Sequence, residues 1–234
     1  MMDNLVIVTD TAGARFMRMD DYLMVGTVGL DVDAWQGSFY DQDLPTDWRI
    51  AHYSTLLRSV VLPEHEWHKA MAENWAAEVD EDFRFVVCSG MAGAAELLDV
   101  PASMAERVAG CIIEIQSLPL TGEDRSILAR LADHMPVCLD QPADGKASAE
   151  LDALCRQLGA SRVWYPSVRE TPLASGRLLV ALVDDATLPQ LRSIISVLEG
   201  WMAETRTAGL FHVAGEDAPR RALQTRQLAE MMGV

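Results

Sequence analysis

Three polar residues that could bind a divalent cation each lie at the end of an apolar run. Asp140 ends PVCLD, Asp184 follows RLLVALV, and His212 lies near the end of AGLFHV. Carboxylate and imidazole ligands, two or three around one cation, form the sites that metal-dependent hydrolases and isomerases use. Polar residues also follow strands without binding a metal. Two expectations therefore stand together: no cofactor, or a divalent metal held by these three residues.

Two other motifs have simpler explanations. HEWH at 65–68 resembles the zinc-protease motif HExxH, but its histidines are three residues apart instead of four. Because the motif requires four, and because the segment lies at a helix start on the expected outer side of the barrel, we predict a surface cluster. A nucleophilic cysteine needs a base and an electropositive setting, and neither is evident near Cys88 or Cys138. Both are therefore predicted to pack in a core.

Charge and cysteine content limit the possible partners. The chain has 234 residues and a net charge of −16, with seven aspartates and no basic residue between Met19 and Trp48. Such a surface repels a phosphate backbone, so no nucleic-acid binding is expected. No apolar run approaches the roughly 20 residues of a membrane span, and the N-terminus lacks the basic region of a signal peptide. Four widely separated cysteines fit reduced thiols, so a cytoplasmic protein without a membrane partner is predicted.

Eight short apolar runs predict the elements that would position these residues. They span 22–28, 58–62, 83–88, 111–116, 136–140, 161–165, 177–183 and 208–213, and helical patterns (one of them over 104–110) separate most of them. Continuously apolar strands indicate a parallel sheet buried on both faces. Most starts are 25 to 36 residues apart, the length of one βα unit, which predicts a single-domain (β/α)8 TIM barrel over residues 22–234. An open doubly wound sheet is the alternative.

Two segments depart from the regular repeat. Between the sixth and seventh strands, PSVRETPLASG contains two prolines and no helical period, so the sixth helix is predicted to be reduced to a turn. Residues 1–21 precede the first unit and contain LVIV, which predicts a strand-like N-terminal extension. That strand could close the barrel bottom or form the edge of a homodimer.

Catalytic groups of TIM barrels lie at the C-terminal ends of the strands. Those positions hold Thr27, Asp31, Cys88, Ser89, Gln116, Asp140, Gln141, Tyr165, Asp184, Asp185 and His212. From the strand ends and the first loop we select a candidate binding set at the barrel mouth: Thr27, Trp35, Gln116, Asp140, Tyr165, Asp184 and His212. No catalytic residue is assigned.

One long segment has the motifs of a known family. LMVGTVGLDVDAWQGSFYDQDLP, residues 23–45, resembles the first βα segment of the YecE-like family, domain of unknown function 72, with a GT-x-G strand end followed by W-x-G-x-FY and LP. FRFVV, IEIQSLPL and FHVAGEDAPRRALQTRQLAEMMG resemble its third strand, fourth strand and last βα unit, in that order. The resemblance covers residues 22–234. It implies a TIM barrel without an established reaction, related in shape to metal-dependent isomerase and endonuclease barrels, in which Trp35, Phe39 and Tyr40 are buried.

The departures from that family concern its charged strand ends. Val28, Leu30, Cys88, Cys138 and Ala181 stand where the family has polar, aromatic or charged residues, whereas Gln116 is kept. The comparison implies a degenerate barrel that acts as a binding or interaction module for an unknown small molecule or protein. The alternative is the divalent-metal-dependent hydrolase or isomerase with Asp140, Asp184 and His212 at an acidic mouth.

Overall fold

Eight parallel strands alternate with helices along most of the chain. A computed structural model describes residues 23–141, 148–202, 206–213 and 215–234; the predicted extension, residues 1–21, lies outside the described residues. The strands are β1 (Met24–Val28), β2 (Ser59–Leu62), β3 (Arg84–Gly90), β4 (Val108–Glu114), β5 (Val137–Asp140), β6 (Ser161–Arg162), β7 (Leu178–Val183) and β8 (Thr207–His212). The helices are α1 (Arg49–Leu56), α2 (Glu64–Ala72), α3 (Ala102–Ala105), α4 (Gly122–His134), α5 (Ala149–Leu158), α6 (Leu188–Met202) and α7 (Ala218–Met232).

The strands form a nearly closed barrel. They are paired in the order β6-β5-β4-β3-β2-β1-β8-β7, and an isolated parallel bridge between Trp164 and Ala181 joins the two ends. In that bridge the Trp164 amide donates to the Val180 carbonyl at 2.8 Å, and the Leu182 amide donates to the Trp164 carbonyl at 2.9 Å. The predicted (β/α)8 barrel is confirmed, and the open doubly wound sheet is excluded.

The sixth helix is absent from the ring, as predicted. Residues 163–177 have turns, bends and isolated bridges but no helix. Pro166 and Pro172 lie in this connection, and each removes an amide that a helix would need. The wall of the barrel therefore has no helix packed outside the junction of β6 and β7.

The predicted helix over 104–110 is wrong. Helix α3 ends at Ala105, and β4 begins at Val108. Val108 pairs with Phe85 and Gly110 with Val86, across a register irregularity in β3. Pairing with a neighbouring strand outweighs the local helical pattern here, because each paired amide gains a backbone hydrogen bond.

Apolar side chains fill both sides of the barrel wall. Strand alternation points one set inward, where it packs as a single cluster: Met24, Val61, Val86, Ile112, Cys138, Val163, Leu178, Val180 and Phe211. The opposite faces pack against the helices with Trp35, Tyr40, Tyr53 and Trp67. None of the helices among the described residues is long and apolar enough to span a bilayer.

Candidate ligand site at the barrel mouth

The inward-facing positions at the C-terminal ends of β3, β4 and β5 carry Cys88, Glu114 and Asp140. Glu114 and Asp140 each follow, by two residues, a side chain of the interior cluster, so alternation directs them into the mouth. They are also direct partners in the register of β4 and β5. Two carboxyl groups therefore lie side by side at one edge of the mouth.

Asp140 is the more buried of the two acids, with 5% of its surface exposed. The Tyr165 hydroxyl donates a hydrogen bond of 2.8 Å to its Oδ2 atom. Burial raises the pKa of Asp140, and the neighbouring Glu114 carboxylate adds to this, although the bond from Tyr165 opposes it. Burial and the adjacent Asp140 likewise raise the pKa of the Tyr165 hydroxyl, which stays a neutral donor.

Cys88 lies beside Glu114 in the same mouth. Its Sγ atom donates to Glu114 Oε1 over 3.7 Å. Burial raises the pKa of the thiol far above its usual value, and the Glu114 carboxylate raises it further. A thiol held protonated is a poor nucleophile. Cys138, deeper in the barrel, is fully buried and donates to the Leu178 carbonyl at 3.4 Å, so both thiols pack in the interior as predicted.

The free space at the mouth consists of a small cavity beside Asp140 and an open region beside Glu114. A cavity of about 20 Å³, room for about one water molecule, is lined by Asp140, Gln141, Arg162, Val163, Tyr165, Val168 and Arg169. Gly90 is the register partner of Glu114, and a methyl group built there would have no atom within 4 Å. A ligand thus has room over β3 and β4.

The mouth has a polar side and an apolar side. Glu114, Asp140 and Tyr165 lie at the ends of the adjacent strands β4, β5 and β6. Further round the ring, Leu182 of β7 and Val28 of β1 are apolar and pack against the interior cluster. A molecule with hydrogen-bond donors at one end and an apolar part at the other would match both sides.

The structure does not bring Asp140, Asp184 and His212 together. Asp184 is exposed at the rim. His212 points out of the barrel, and its Nε2 atom shares a hydrogen bond of 2.8 Å with Thr225 Oγ1 on α7. Within the described ranges, no three His, Cys, Asp or Glu side chains are grouped so as to hold a metal ion.

His212 occupies a buried site between β8 and α7. It is 1% exposed, and its Nδ1 atom has no hydrogen-bond partner. Burial, together with a smaller contribution from the Arg221 guanidinium, lowers the pKa of His212 to about 4. The side chain is therefore a neutral part of the core, and it lies away from the mouth.

Of the remaining candidates, Thr27 and Trp35 are structural and Gln116 is exposed. Thr27 is fully buried and donates to the Gly29 carbonyl at 2.6 Å. Trp35 is also fully buried, and its indole donates to the Gly215 carbonyl at 2.8 Å, which joins the first βα loop to the last. Gln116 lies beyond the end of β4 on the surface.

The aromatic residues of the first loop form one packed group. Trp35 and Tyr40 are buried, as predicted, but Phe39 is only half-buried. The Phe39 ring packs edge-on against Tyr40 and Tyr53, with centroid distances of 4.9 and 6.0 Å. The group therefore fixes the loop after β1 and does not line the mouth.

Sequence reasoning missed Glu114 and the charged network under the first loop. A lone carboxylate in the apolar run CIIEIQ, two residues after an inward isoleucine, was the pattern that could have identified Glu114. In the network, Asp31 accepts from Arg49 at 2.5 Å and from Lys69 at 2.8 Å. Burial raises the pKa of Asp31, but the bonds from Lys69 and Arg49 outweigh it and hold that pKa below its usual value.

The glutamate of HEWH belongs to the same loop support. Glu66 is 3% exposed, and its carboxylate accepts from the amides of Leu30 and Asp31 at 3.0 and 3.2 Å. His65 is exposed on α2, and His68 is a half-exposed partner of Glu96 at 3.2 Å. The two histidines of the motif thus lie at the surface, as predicted, whereas its glutamate is buried.

Comparison with known proteins identifies a structure of the same fold. No family model matches the sequence, and no curated protein matches it. A DUF72 family protein from Thermotoga maritima MSB8 superposes with a TM-score of 0.67 at 12% identity, over 89% of this chain and 100% of that one. At an identity this low, the structural match establishes that the two proteins share a fold and no more. The family of that protein is the one whose motifs this chain resembles.

Proposed function

We propose that this chain is a divergent DUF72-family barrel that binds a small molecule at its mouth and has no catalytic role or cofactor of its own. The shared fold and the motifs of the first βα segment and of the third, fourth and last strands support the family. The ligand would carry hydrogen-bond donors, such as amine or hydroxyl groups, because the open part of the mouth presents the acceptor oxygens of Glu114.

The observation that carries the proposal is the arrangement of Glu114, Asp140 and Cys88. The two carboxyl groups are paired in register and face the mouth, and Glu114 is the one that lies on its open part. Cys88, the thiol beside them, donates to the Glu114 carboxylate, and both burial and that negative charge raise the pKa of the thiol and disfavour its thiolate. Nucleophilic catalysis by cysteine needs an electropositive setting that favours the thiolate, whereas binding needs only acceptors and space.

A thermal-shift screen with small amines and polyols tests binding at this site. We expect at least one compound to raise Tm saturably, because a ligand bound only to the folded state stabilises it by about 2.7 kcal/mol at a hundredfold excess over Kd. The shift should be lost in Glu114→Gln and kept in Glu123→Gln, a matched change at an exposed glutamate of α4. A shift that Glu114→Gln leaves intact would contradict the proposed site.

A cation series tests the metal-dependent alternative. Since Asp184 and His212 do not meet Asp140, we expect no saturable rise in Tm with calcium, manganese or zinc that Asp184→Asn abolishes. Such a rise would favour a metal-dependent hydrolase or isomerase. Protein without a histidine tag is required, because the tag itself binds zinc.

A further inference from the structure

Residues 165–172 pass outside the junction of β6 and β7, where the ring lacks a helix; we refer to them as the strap. Strand β6 has two residues, and a single bridge links its end to β7. Within the strap, Val168 is 58% exposed. This part of the wall is therefore held by fewer backbone hydrogen bonds than the other strand pairs.

The chain following the strap is firmly attached. The Arg162 amide donates to the Leu173 carbonyl at 2.9 Å, and the Gly176 amide donates to Ser161 Oγ at 3.1 Å. Ala174 also forms an antiparallel bridge with Ser161. Any movement of the connection is thereby confined to the strap itself.

Among the described residues, three polar side-chain contacts hold the strap against the barrel, in addition to the packing of Tyr165 on the interior cluster. The Tyr165 hydroxyl donates to Asp140, and the Trp164 indole donates to the Arg169 carbonyl at 2.7 Å. The third contact is a long ion pair between Arg169 and Asp152, at 3.8 Å. An ion pair at 3.8 Å between partly exposed side chains stabilises the strap only weakly, so the two hydrogen bonds are the stronger polar contacts.

The strap covers the acid that the proposed ligand would reach. Tyr165, Val168 and Arg169 line the cavity of about 20 Å³ beside Asp140, which has room for about one water molecule. A ligand larger than water cannot contact Asp140 while the strap lies there. Opening would also return a buried carboxyl group to solvent, which offsets part of the loss of its bond to Tyr165.

We propose that the strap is a gate, which swings away from the β6–β7 junction, uncovers Asp140 and increases access to the partly buried Cys88, which packs with Tyr165 against the interior cluster. The inference rests on the proposed function, because it assigns the gate to that same ligand site. The hydrogen bond from Tyr165 to Asp140 keeps the gate closed. The segment after residue 172 stays attached to the barrel when the gate opens.

Exchange of indole protons in the ligand-free protein tests the gate directly. The Trp164 indole bonds to the strap, and the Trp35 indole bonds to Gly215 in a fully buried site away from it. We expect the Trp164 indole to exchange by local opening, at a rate that low urea barely changes, while Trp35 exchanges with global unfolding. Equal protection and equal urea dependence for both indoles would overturn the gate.

Labelling of Cys88 by a thiol reagent gives a second readout. Tyr165→Phe should accelerate labelling about tenfold or more. Losing one hydrogen bond to a carboxyl group should raise the population of the open state by about that factor. Tyr40→Phe is the matched control, because its hydroxyl donates to the Leu30 carbonyl at 2.7 Å in the first loop. Cys88→Ser in the wild-type background establishes which thiol reacts.

The outcomes separate the gate from the binding site. Faster labelling in Tyr165→Phe but not in Tyr40→Phe supports the gate, and equal rates in wild type and Tyr165→Phe refute it. If an amine or polyol binds through Glu114 while Cys88 labelling is unaffected by Tyr165→Phe, the proposed function stands and the gate fails. If labelling responds as expected but no compound depends on Glu114, the gate stands as a property of the fold and the ligand site fails.

Discussion

Acid should destabilise this protein through His212 in a narrow pH range. The imidazole is 1% exposed between β8 and α7, and its Nδ1 atom has no hydrogen-bond partner. Its pKa is about 4 in the folded chain against an ordinary 6.5. Because the unfolded chain binds the proton more tightly, the stability contributed by neutral His212 is complete above pH 6.5. It is lost progressively as pH falls from there towards 4.

The size of the effect follows from the two pKa values. At pH 5 the unfolded imidazole is almost fully protonated and the folded one almost fully neutral, which corresponds to a loss of about 2 kcal/mol of unfolding free energy relative to neutral pH. Burial also raises the pKa values of the Asp140 and Glu66 carboxyl groups, so these groups contribute to the pH dependence as well. The effect of His212 must therefore be isolated by difference.

Urea unfolding of wild type and His212→Gln at pH 7.5, 6 and 5 supplies that difference. The glutamine amide can keep a hydrogen bond to Thr225 Oγ1 but cannot be protonated in this range. We expect the wild type to lose about 2 kcal/mol more than the variant between pH 7.5 and 5. Parallel stability curves for the two proteins, or an imidazole resonance of His212 that titrates near its ordinary value, would refute the reasoning.

Three further predictions concern packing and charge. Gly26→Ala should abolish or strongly weaken folding, because the alanine Cβ would lie 1.9 Å from the Ser59 carbonyl oxygen. Gly90→Ala should leave Tm almost unchanged, because no atom lies within 4 Å of the added Cβ. Phe39→Ala should cost about 3 kcal/mol in urea unfolding, the low end of the range for emptying an aromatic site, because the ring is half-buried; an unchanged midpoint would contradict this. Duplex DNA should not bind at near-physiological salt, because a net charge of −16 gives no counterion-release gain; a salt-sensitive gel shift at micromolar protein would show otherwise.

Local chemistry in the sequence was enough to predict the barrel and its irregular unit. Continuously apolar runs at regular spacing indicate parallel strands, because only strands buried on both faces tolerate such composition. Pro166 and Pro172 predicted the missing helix, since a proline in the interior of a helix removes a backbone hydrogen bond. The short segment at 104–110 was predicted wrongly, because the extended form of Val108 depends on pairing with Phe85, a partner distant in sequence.

The candidate site was predicted less well, because the direction of a side chain depends on the register of its strand. The sequence placed Asp140 and His212 at strand ends, and both lie there. Successive side chains of a strand point to opposite faces, so a shift of one residue in register reverses the direction of a side chain. Asp140 points into the mouth, whereas His212 points outward to Thr225. Glu114 was missed for the same reason, since its inward direction follows from its pairing with Asp140.

Local composition and spacing thus predict the number and order of the βα units and the net acidic charge, whereas the burial of Trp35 and Tyr40 in the first loop was implied by the family resemblance. The tertiary structure alone decided which strand-end groups share the mouth, because barrel closure sets the register that turns each side chain inward or outward. It also decided that Tyr165 covers Asp140, since that contact joins residues 25 positions apart along the chain.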